Sequence, residues 1–145
     1  MPYSPLIVNP MRQELASIGF EDLMTAEAVE SFIDEKAASA ILVINSVCGC
    51  AAGQARPGVA QAMQSDNRPE RLVTVFAGQD VEATNKARDY FADIPPSSPS
   101  IALFKEGELV YFVPRHRIES RSAEEVAADL TAAFDRYFAS TAATS

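Results

Sequence analysis

The chain has 145 residues, of which 48% are hydrophobic and 22% are charged, a composition typical of a soluble globular protein. Its length fits a single domain, residues 1–145, with a hydrophobic core of ordinary size. The 20 acidic and 12 basic residues give a net charge of −8, which argues against nucleic acid as a partner because a phosphate backbone requires clustered Lys and Arg.

Two helices are predicted ahead of the first strand. The first spans residues 10–19, where a proline opens the helix and a glycine stops it. The second follows the N-cap Thr25 over residues 26–36, in which apolar residues recur at helical spacing. Residues 1–36 are therefore predicted to form an N-terminal helical extension.

The centre of the chain alternates strands and helices. Residues 40–45 are apolar and partly β-branched, which is typical of a short buried strand, and residues 72–76 predict a second one. Between them, residues 51–64 have helical spacing. Pro57 lies inside this helix and is predicted to kink it, because proline removes a backbone donor.

Asp80 is the predicted N-cap of a helix over residues 81–92. Residues 94–100 contain three prolines, which remove backbone donors and fix φ, so no regular structure is expected there. Residues 101–104 and 109–113 flank a short turn that contains a glycine, and this spacing predicts an antiparallel hairpin.

A capping box, Ser122 with Glu125, opens the last predicted helix, and the tail at residues 139–145 is expected to fray. The predicted order of elements is α-α-β-α-β-α-β-β-α. This order indicates an α/β fold whose central mixed sheet has helices on both faces. The C-terminal hairpin adds an antiparallel edge to that sheet.

Cys48 and Cys50 are the only cysteines, and they lie between the first predicted strand and a helix. Unpaired N–H groups at a helix start favour the thiolate, which is the nucleophile of disulfide exchange. Cys48 is the predicted nucleophile because its sulfur lies ahead of the helix, and Cys50, which should be more enclosed, suits the resolving role. The alternative is that Cys48 is a small buried hydrophobe.

Gly49 separates the two cysteines. A disulfide needs its Cα atoms roughly 4.4–6.8 Å apart, which residues two apart reach only in a tight turn. Gly49 is predicted to supply backbone angles closed to other residues. A Cys48–Cys50 disulfide is expected to be strained and easily reduced, which suits removing a small thiol from a protein or shuffling disulfides.

Cellular location and metal content are also constrained. The first ten residues lack the pattern of a secretory signal, and the longest apolar run covers five residues, so no membrane span is expected. We expect a cytoplasmic protein, in which paired cysteines are more often catalytic or metal-binding than structural. Two cysteines and the single histidine, His116, do not supply the four ligands of a structural zinc site.

From residue 40 onward, the predicted elements follow the order of the thioredoxin fold, and the chain resembles the bacilliredoxin family. The matching stretches are NSVCGCAAG at 45–53, VFAGQD at 75–80, PSSPS at 96–100, PRH at 114–116 and LTAAFD at 130–135. The resemblance covers nearly the whole chain. It implies a thiol-disulfide oxidoreductase that removes bacillithiol, a small thiol, from mixed disulfides on cytosolic proteins, with weak disulfide isomerase activity.

In this resemblance, Cys48 attacks and Cys50 is the second thiol. Bacillithiol or a similar small thiol is a co-substrate, and no metal or organic cofactor is implied, because electron pairs pass between sulfurs. Residues 135–138 hold no further cysteine, which excludes a role for a third thiol there.

The resemblance implies a cis bond between Ser98 and Pro99, before the hairpin and beside the cysteines, where exposed backbone groups would pair with an extended substrate. A loop-ending proline is the alternative. Arg115, His116 and Arg117 follow the second hairpin strand, which should end at the same edge of the sheet as Cys48 and Pro99. They are predicted to form a basic rim that lowers the thiol pKa or meets a carboxylate-bearing thiol. The alternatives are a solvated loop for the rim and a surface hydrogen-bonding role for His116.

Two other functions remain open from the sequence. One is a protein disulfide isomerase or general reductase. The other is a non-catalytic thioredoxin-like module or a carrier that holds Cu(I) between the two thiolates. Arg56, in the predicted helix after the cysteines, is interpreted as structural or solvent-facing.

Overall fold

The computed structural model describes residues 3–139. Within this range the helices are α1 (Pro5–Ala16), α2 (Ala26–Asp34), α3 (Arg56–Ala62), α4 (Val81–Asp89), α5 (His116–Glu119) and α6 (Ala123–Tyr137). The strands are β1 (Glu21–Asp22), β2 (Ala40–Asn45), β3 (Arg71–Phe76), β4 (Ser100–Lys105) and β5 (Glu108–Val113). A π-helical turn, Ala51–Ala55, runs directly into α3.

The strands form one mixed sheet in the order β1-β3-β2-β4-β5. The strands β1, β3 and β2 pair in parallel, whereas β4 is antiparallel to both β2 and β5. The central mixed sheet with a C-terminal antiparallel hairpin is therefore confirmed.

Both faces of this sheet are covered by helices. All six residues of β2 are buried, and alternate side chains point to opposite faces. Ile41 and Val43 pack in a cluster with residues of α1, α3 and α6, whereas Leu42 and Ile44 pack with residues of α2 and α4. The prediction of an α/β fold with helices on both faces is confirmed.

The N-terminal region differs from the prediction. Helix α1 begins at Pro5, because the Ser4 side chain accepts a hydrogen bond from Leu6 N at 3.2 Å, and Pro10 lies inside the helix. Between α1 and α2, the strand β1 joins the edge of the sheet beside β3. The region is therefore not purely helical. A strand of two residues is too short to leave a periodic signal.

The predicted capping side chain is confirmed for α2 but not for α4. The Thr25 hydroxyl accepts from Ala28 N at 3.1 Å, which confirms it as the N-cap of α2. Asp80 precedes α4, but its side chain makes no capping hydrogen bond within the described part of the chain. Its carboxylate accepts instead from both terminal nitrogens of Arg12, at 2.9 and 2.7 Å, because a charged donor competes with the helix amides.

The helix predicted over residues 51–64 is interrupted as expected, although not by a simple kink. Arg56 N donates to Ala51 O, five residues back, which defines the π turn, and Pro57 lies in the first turn of α3. Gly58 then packs against α6. A methyl group at Gly58 would lie 2.7 Å from Val126 Cγ1, so this approach of α3 to α6 requires glycine.

The C-terminal half follows the prediction closely. Glu106 and Gly107 both have positive φ, 54° and 84°, and form the two-residue turn between β4 and β5. The capping box of Ser122 and Glu125 is present at the start of α6. The short helix α5 was not predicted. Of the tail expected to fray, residues 140–145 lie outside the described residues. Among residues 3–139, every helix is too short or too polar to span a bilayer.

Candidate active site

Three segments meet at one edge of the sheet. Ile44, near the carboxyl end of β2, pairs with Ser100 at the start of β4, and Ile101 pairs with Val113 at the end of β5. The segments that carry the cysteines, the Ser98–Pro99 bond and Arg115 therefore leave the sheet side by side. The predicted placement at a shared edge is confirmed.

Cys48 stands at the start of a helical segment that begins at Gly49. Its carbonyl oxygen accepts from Ala51 N at 3.0 Å and from Ala52 N at 3.3 Å, and its own N–H donates to Ser46 Oγ at 3.1 Å. The side chain is partly exposed. Cys48 therefore stands at the N-terminal end of a helical segment, where negative charge is favoured.

The two thiols are reduced and interact directly, with 2.9 Å between Cys48 Sγ and Cys50 Sγ. The hydrogen bond from the Cys50 thiol lowers the pKa of Cys48, and the Cys50 amide, the charge of Arg115 and the Ala51 amide lower it further. Burial raises the pKa of Cys50, and the hydrogen bond and charge of Cys48 raise it again. Of the two thiols, Cys48 is therefore the easier to ionise, and Cys50 holds its proton more firmly.

In the reduced pair, Gly49 does not use the backbone freedom that only glycine has. Its φ lies outside the left-handed region, and a methyl group added there would contact nothing within 4 Å. In the reduced pair, other residues could adopt its backbone angles. Gly49 is exposed, and the role predicted for it in a Cys48–Cys50 disulfide stays a prediction.

The Ser98–Pro99 peptide bond is cis, as the resemblance implies. Pro99 is buried, whereas Ser98 is partly exposed. The Ser98 carbonyl oxygen accepts from Arg115 Nη1 at 3.4 Å. This contact joins the proline loop to the segment after β5.

Arg115 and His116 are both exposed. The Arg115 N–H donates to Ser97 Oγ at 3.2 Å, and its Nε pairs with Glu119 Oε2 at 3.0 Å. The positive charge of Arg115 acts on Cys48, so one member of the predicted rim lies within electrostatic reach of the thiolate. The structure shows no hydrogen bond from the side chain of His116 within residues 3–139.

A cavity of about 340 Å³ lies beside Arg115. Ile94, Pro95, Pro96 and Pro114 form much of its wall, with His116 and Glu119 near the charged side. Its size and its mainly apolar walls are typical of a site for a small molecule. Sequence reasoning missed this cavity, because its two walls are far apart along the chain.

Arg56 is buried, with 3% of its surface exposed. Its Nη1 donates to Asn45 Oδ1 at 2.8 Å and to Ser46 O at 3.0 Å. The structural interpretation of Arg56 is right and the solvent-facing one is wrong. The link to the segment that carries Cys48 was not predicted.

Solved structures of other proteins share this architecture. A thioredoxin from Malassezia sympodialis superposes with a TM-score of 0.54 over 82% of this chain and 90% of its own, at 14% identity. A thioredoxin from Fasciola hepatica also gives 0.54, over 81% of this chain and 99% of its own, at 15% identity. These two likenesses show that the chain has the thioredoxin fold.

Sequence comparisons identify the family to which the chain belongs. Residues 3–138 match the family described as disulphide isomerase. Proteins named bacilliredoxin from Salinibacter ruber and Cytophaga hutchinsonii are 52% and 54% identical, over 94% and 92% of this chain and 82% and 98% of their own lengths. A bacilliredoxin from Koribacter versatilis is 49% identical over 97% of both chains. The chain belongs to the bacilliredoxin family.

Proposed function

We propose that this protein removes a small thiol from mixed disulfides on cytosolic proteins. The observation that carries the proposal is the unequal pair of thiols, whose sulfurs lie 2.9 Å apart at an open edge of the sheet. Cys48 has a lowered pKa and Cys50 a raised one. Thiol exchange requires an ionised sulfur to attack, and the lowered pKa favours Cys48 in that role.

In the first step, the Cys48 thiolate attacks the sulfur that belongs to the small thiol. The new bond joins Cys48 Sγ to that sulfur, and the bond to the target protein breaks. The target thiolate leaves with the electron pair and takes a proton from solvent. The exchange needs no metal or organic cofactor, because electron pairs pass only between sulfurs.

In the second step, Cys48 is released from the small thiol. Either Cys50, after losing its proton, attacks Cys48 Sγ to form an internal disulfide, or a second small thiol attacks the adduct. The first route expels the small thiol with its electron pair. In the second route the two small thiols become joined in a disulfide, and Cys48 Sγ leaves as the thiolate. The distance of 2.9 Å between the sulfurs supports the route through Cys50.

A thiol that carries a carboxylate, such as bacillithiol, fits the surroundings of Cys48. Arg115 is exposed, acts electrostatically on Cys48 and also borders the cavity of about 340 Å³. A small molecule bonded to Cys48 could pair its carboxylate with Arg115 and direct the rest of its structure toward that cavity. His116, on the same rim, would add a polar contact.

Intact mass spectrometry tests the proposal. The Cys50→Ser variant is incubated with a target protein whose cysteine is blocked by bacillithiol. We expect the variant to gain the mass of one bacillithiol at Cys48 while the target loses the same mass. The Cys48→Ser variant is the control and should gain nothing. A target that keeps its bacillithiol in the presence of both the variant and the native protein would refute the proposal.

Disulfide isomerase activity is the second candidate, favoured by the description of the matching family. In that case, the trapped species on Cys50→Ser would be a covalent complex with a whole protein. Refolding of a protein with scrambled disulfides would provide the activity measurement. Wild-type protein should accelerate it, and Cys48→Ser should not.

A further inference from the structure

Arg56 is a buried cation directly behind the segment that carries the thiols. Only 2% of its side chain is exposed, although burying a guanidinium is unfavourable unless its hydrogen bonds and charge are satisfied. Its one ionic partner is Glu14 in the described part of the chain, and that carboxylate is half exposed. The reason for burying this arginine must therefore lie in what it holds.

The hydrogen bonds of Arg56 converge on the residues after β2. Its Nη1 donates to Asn45 Oδ1 at 2.8 Å and to Ser46 O at 3.0 Å. Asn45 Oδ1 also accepts from Ser46 N at 2.9 Å, and Ser46 Oγ accepts from Cys48 N at 3.1 Å. A continuous chain of hydrogen bonds thus leads from Arg56 to the backbone of Cys48.

The ion pair adds less than these bonds do. Arg56 Nε lies 3.2 Å from Glu14 Oε2, but within residues 3–139 that nitrogen has no partner at hydrogen-bond geometry. Glu14 is also open to solvent, which screens the attraction. The firm contacts of the guanidinium are the two from Nη1 to Asn45 and Ser46.

The π turn lets one helical segment carry Cys50 at the site and Arg56 in the interior. An inserted residue rotates the side chains that follow it by about 100° around the helix axis. The turn at Ala51–Ala55 lies between Cys50 and Arg56. The Cys50 side chain can therefore reach Cys48 Sγ while the Arg56 side chain is directed into the interior.

We infer that Arg56 is a positioning residue that holds residues 45–48, and with them Cys48, at the start of the helical segment. Arg56 does not touch the sulfur and acts through Asn45 and Ser46. The inference depends on the proposed function only in taking Cys48 as the reacting group. Release of this segment would move the sulfur away from the helix start, where negative charge is favoured.

The test is the pH dependence of iodoacetamide alkylation at Cys48, located by tandem mass spectrometry. In Arg56→Met we expect alkylation at neutral pH to slow by about threefold to tenfold, because each pKa unit changes the thiolate fraction about tenfold. Since one nitrogen makes both bonds, Arg56→Lys should restore part of the rate. A residue that served only to fill space would be replaced as well by methionine as by lysine.

Arg12→Met is the matched control. Arg12 is also largely buried and bonds to Asp22 and Asp80, but it makes no hydrogen bond to residues 45–50. We expect it to lower the urea midpoint and leave the alkylation profile of Cys48 unchanged. A profile shifted as far as in Arg56→Met would overturn the inference, since general loosening would then explain both.

A wild-type profile in folded Arg56→Met would also overturn it. If that variant does not fold, Ser46→Ala decides, because it removes only the acceptor for Cys48 N–H. Slower alkylation in Ser46→Ala would support the inference, and an unchanged profile would refute it. These measurements need neither a target protein nor bacillithiol, so they stand even if the proposed removal of a small thiol is refuted.

Discussion

The start of α6 and the helix start at Cys48 satisfy their free amides in different ways. At α6, Ser122 Oγ accepts from Glu125 N at 3.1 Å, and Glu125 Oε1 accepts from Ser122 N at 2.9 Å. At the cysteines, the amides of Cys50 and Ala51 act on the Cys48 sulfur instead. The oxygen cap stabilises α6. The corresponding amides at Cys48 lower the pKa of the thiol and so favour the thiolate.

Cys48→Ser removes the difference between the two helix starts and should have the largest effect. Thiol exchange is expected to fall to background, because the hydroxyl is not ionised at neutral pH. The free energy of unfolding should rise by about 0.5–1 kcal/mol, since serine is a good N-cap. Urea denaturation measures the gain. Cys48→Ala, which has no oxygen, should lose exchange without gaining stability.

Cys50→Ala separates the contribution of the second thiol from that of the amides. The hydrogen bond from Cys50 is the largest cause of the lowered pKa of Cys48. Without it, the pKa of Cys48 should rise, and we expect alkylation of Cys48 at neutral pH to slow by about tenfold. An unchanged rate in stopped-flow alkylation would mean that the amides alone hold the thiolate.

Ser122→Ala tests the oxygen cap. Loss of the capping hydrogen bond should lower the free energy of unfolding by about 1 kcal/mol, measured from urea transitions. Alkylation of Cys48 should remain at the wild-type rate. A change in that rate would show that the two helix starts are energetically coupled.

The two caps should also respond to different ranges of pH. The backbone and side-chain hydrogen bonds of Ser122 lower the pKa of Glu125 below its ordinary 4.5, so its contribution is full above that value and is lost as acid protonates the folded carboxylate. The pKa of Cys48 lies below the ordinary 9.0, so its contribution is full above 9.0 and is lost as the pH falls through the lowered value. Urea midpoints against pH, compared with those of Glu125→Gln and Cys48→Ala, measure each contribution separately.

Arg115→Gln should have the smallest effect. The charge of Arg115 lowers the pKa of Cys48 less than the hydrogen bonds of Cys50 do, and the Arg115 side chain is exposed to solvent. Alkylation at neutral pH and low salt is expected to slow by about twofold, and the difference should vanish at high salt. Arg121→Gln, which alters a pair with Asp129, is the control and should leave the rate unchanged.

The parts of this structure that were predictable have local signals. β2 follows from an apolar run, the start of α6 from its capping box, and the shared edge of the sheet from the order of the elements. In contrast, β1 and α5 are too short to show a period. The burial of Arg56 depends on acceptors more than nine residues away in the chain, in Asn45 and Ser46.

The candidate site shows the same division. The juxtaposed cysteines and the cis bond before the hairpin were predicted, the latter through resemblance. The reason given for Gly49 concerns the geometry of a disulfide and stays a prediction, because the structure holds two free thiols. The cavity beside Arg115 requires two loops to meet, which no local pattern of residues indicates.

The close approach at Gly58 restricts how this protein could be redesigned. Replacing a helical glycine with alanine usually strengthens a helix by about 1 kcal/mol. Here the added methyl would meet Val126 at 2.7 Å and push α6 away from the helix that follows Cys50. Engineering for thermal stability should therefore keep Gly58 and alter helix positions that do not contact a second helix.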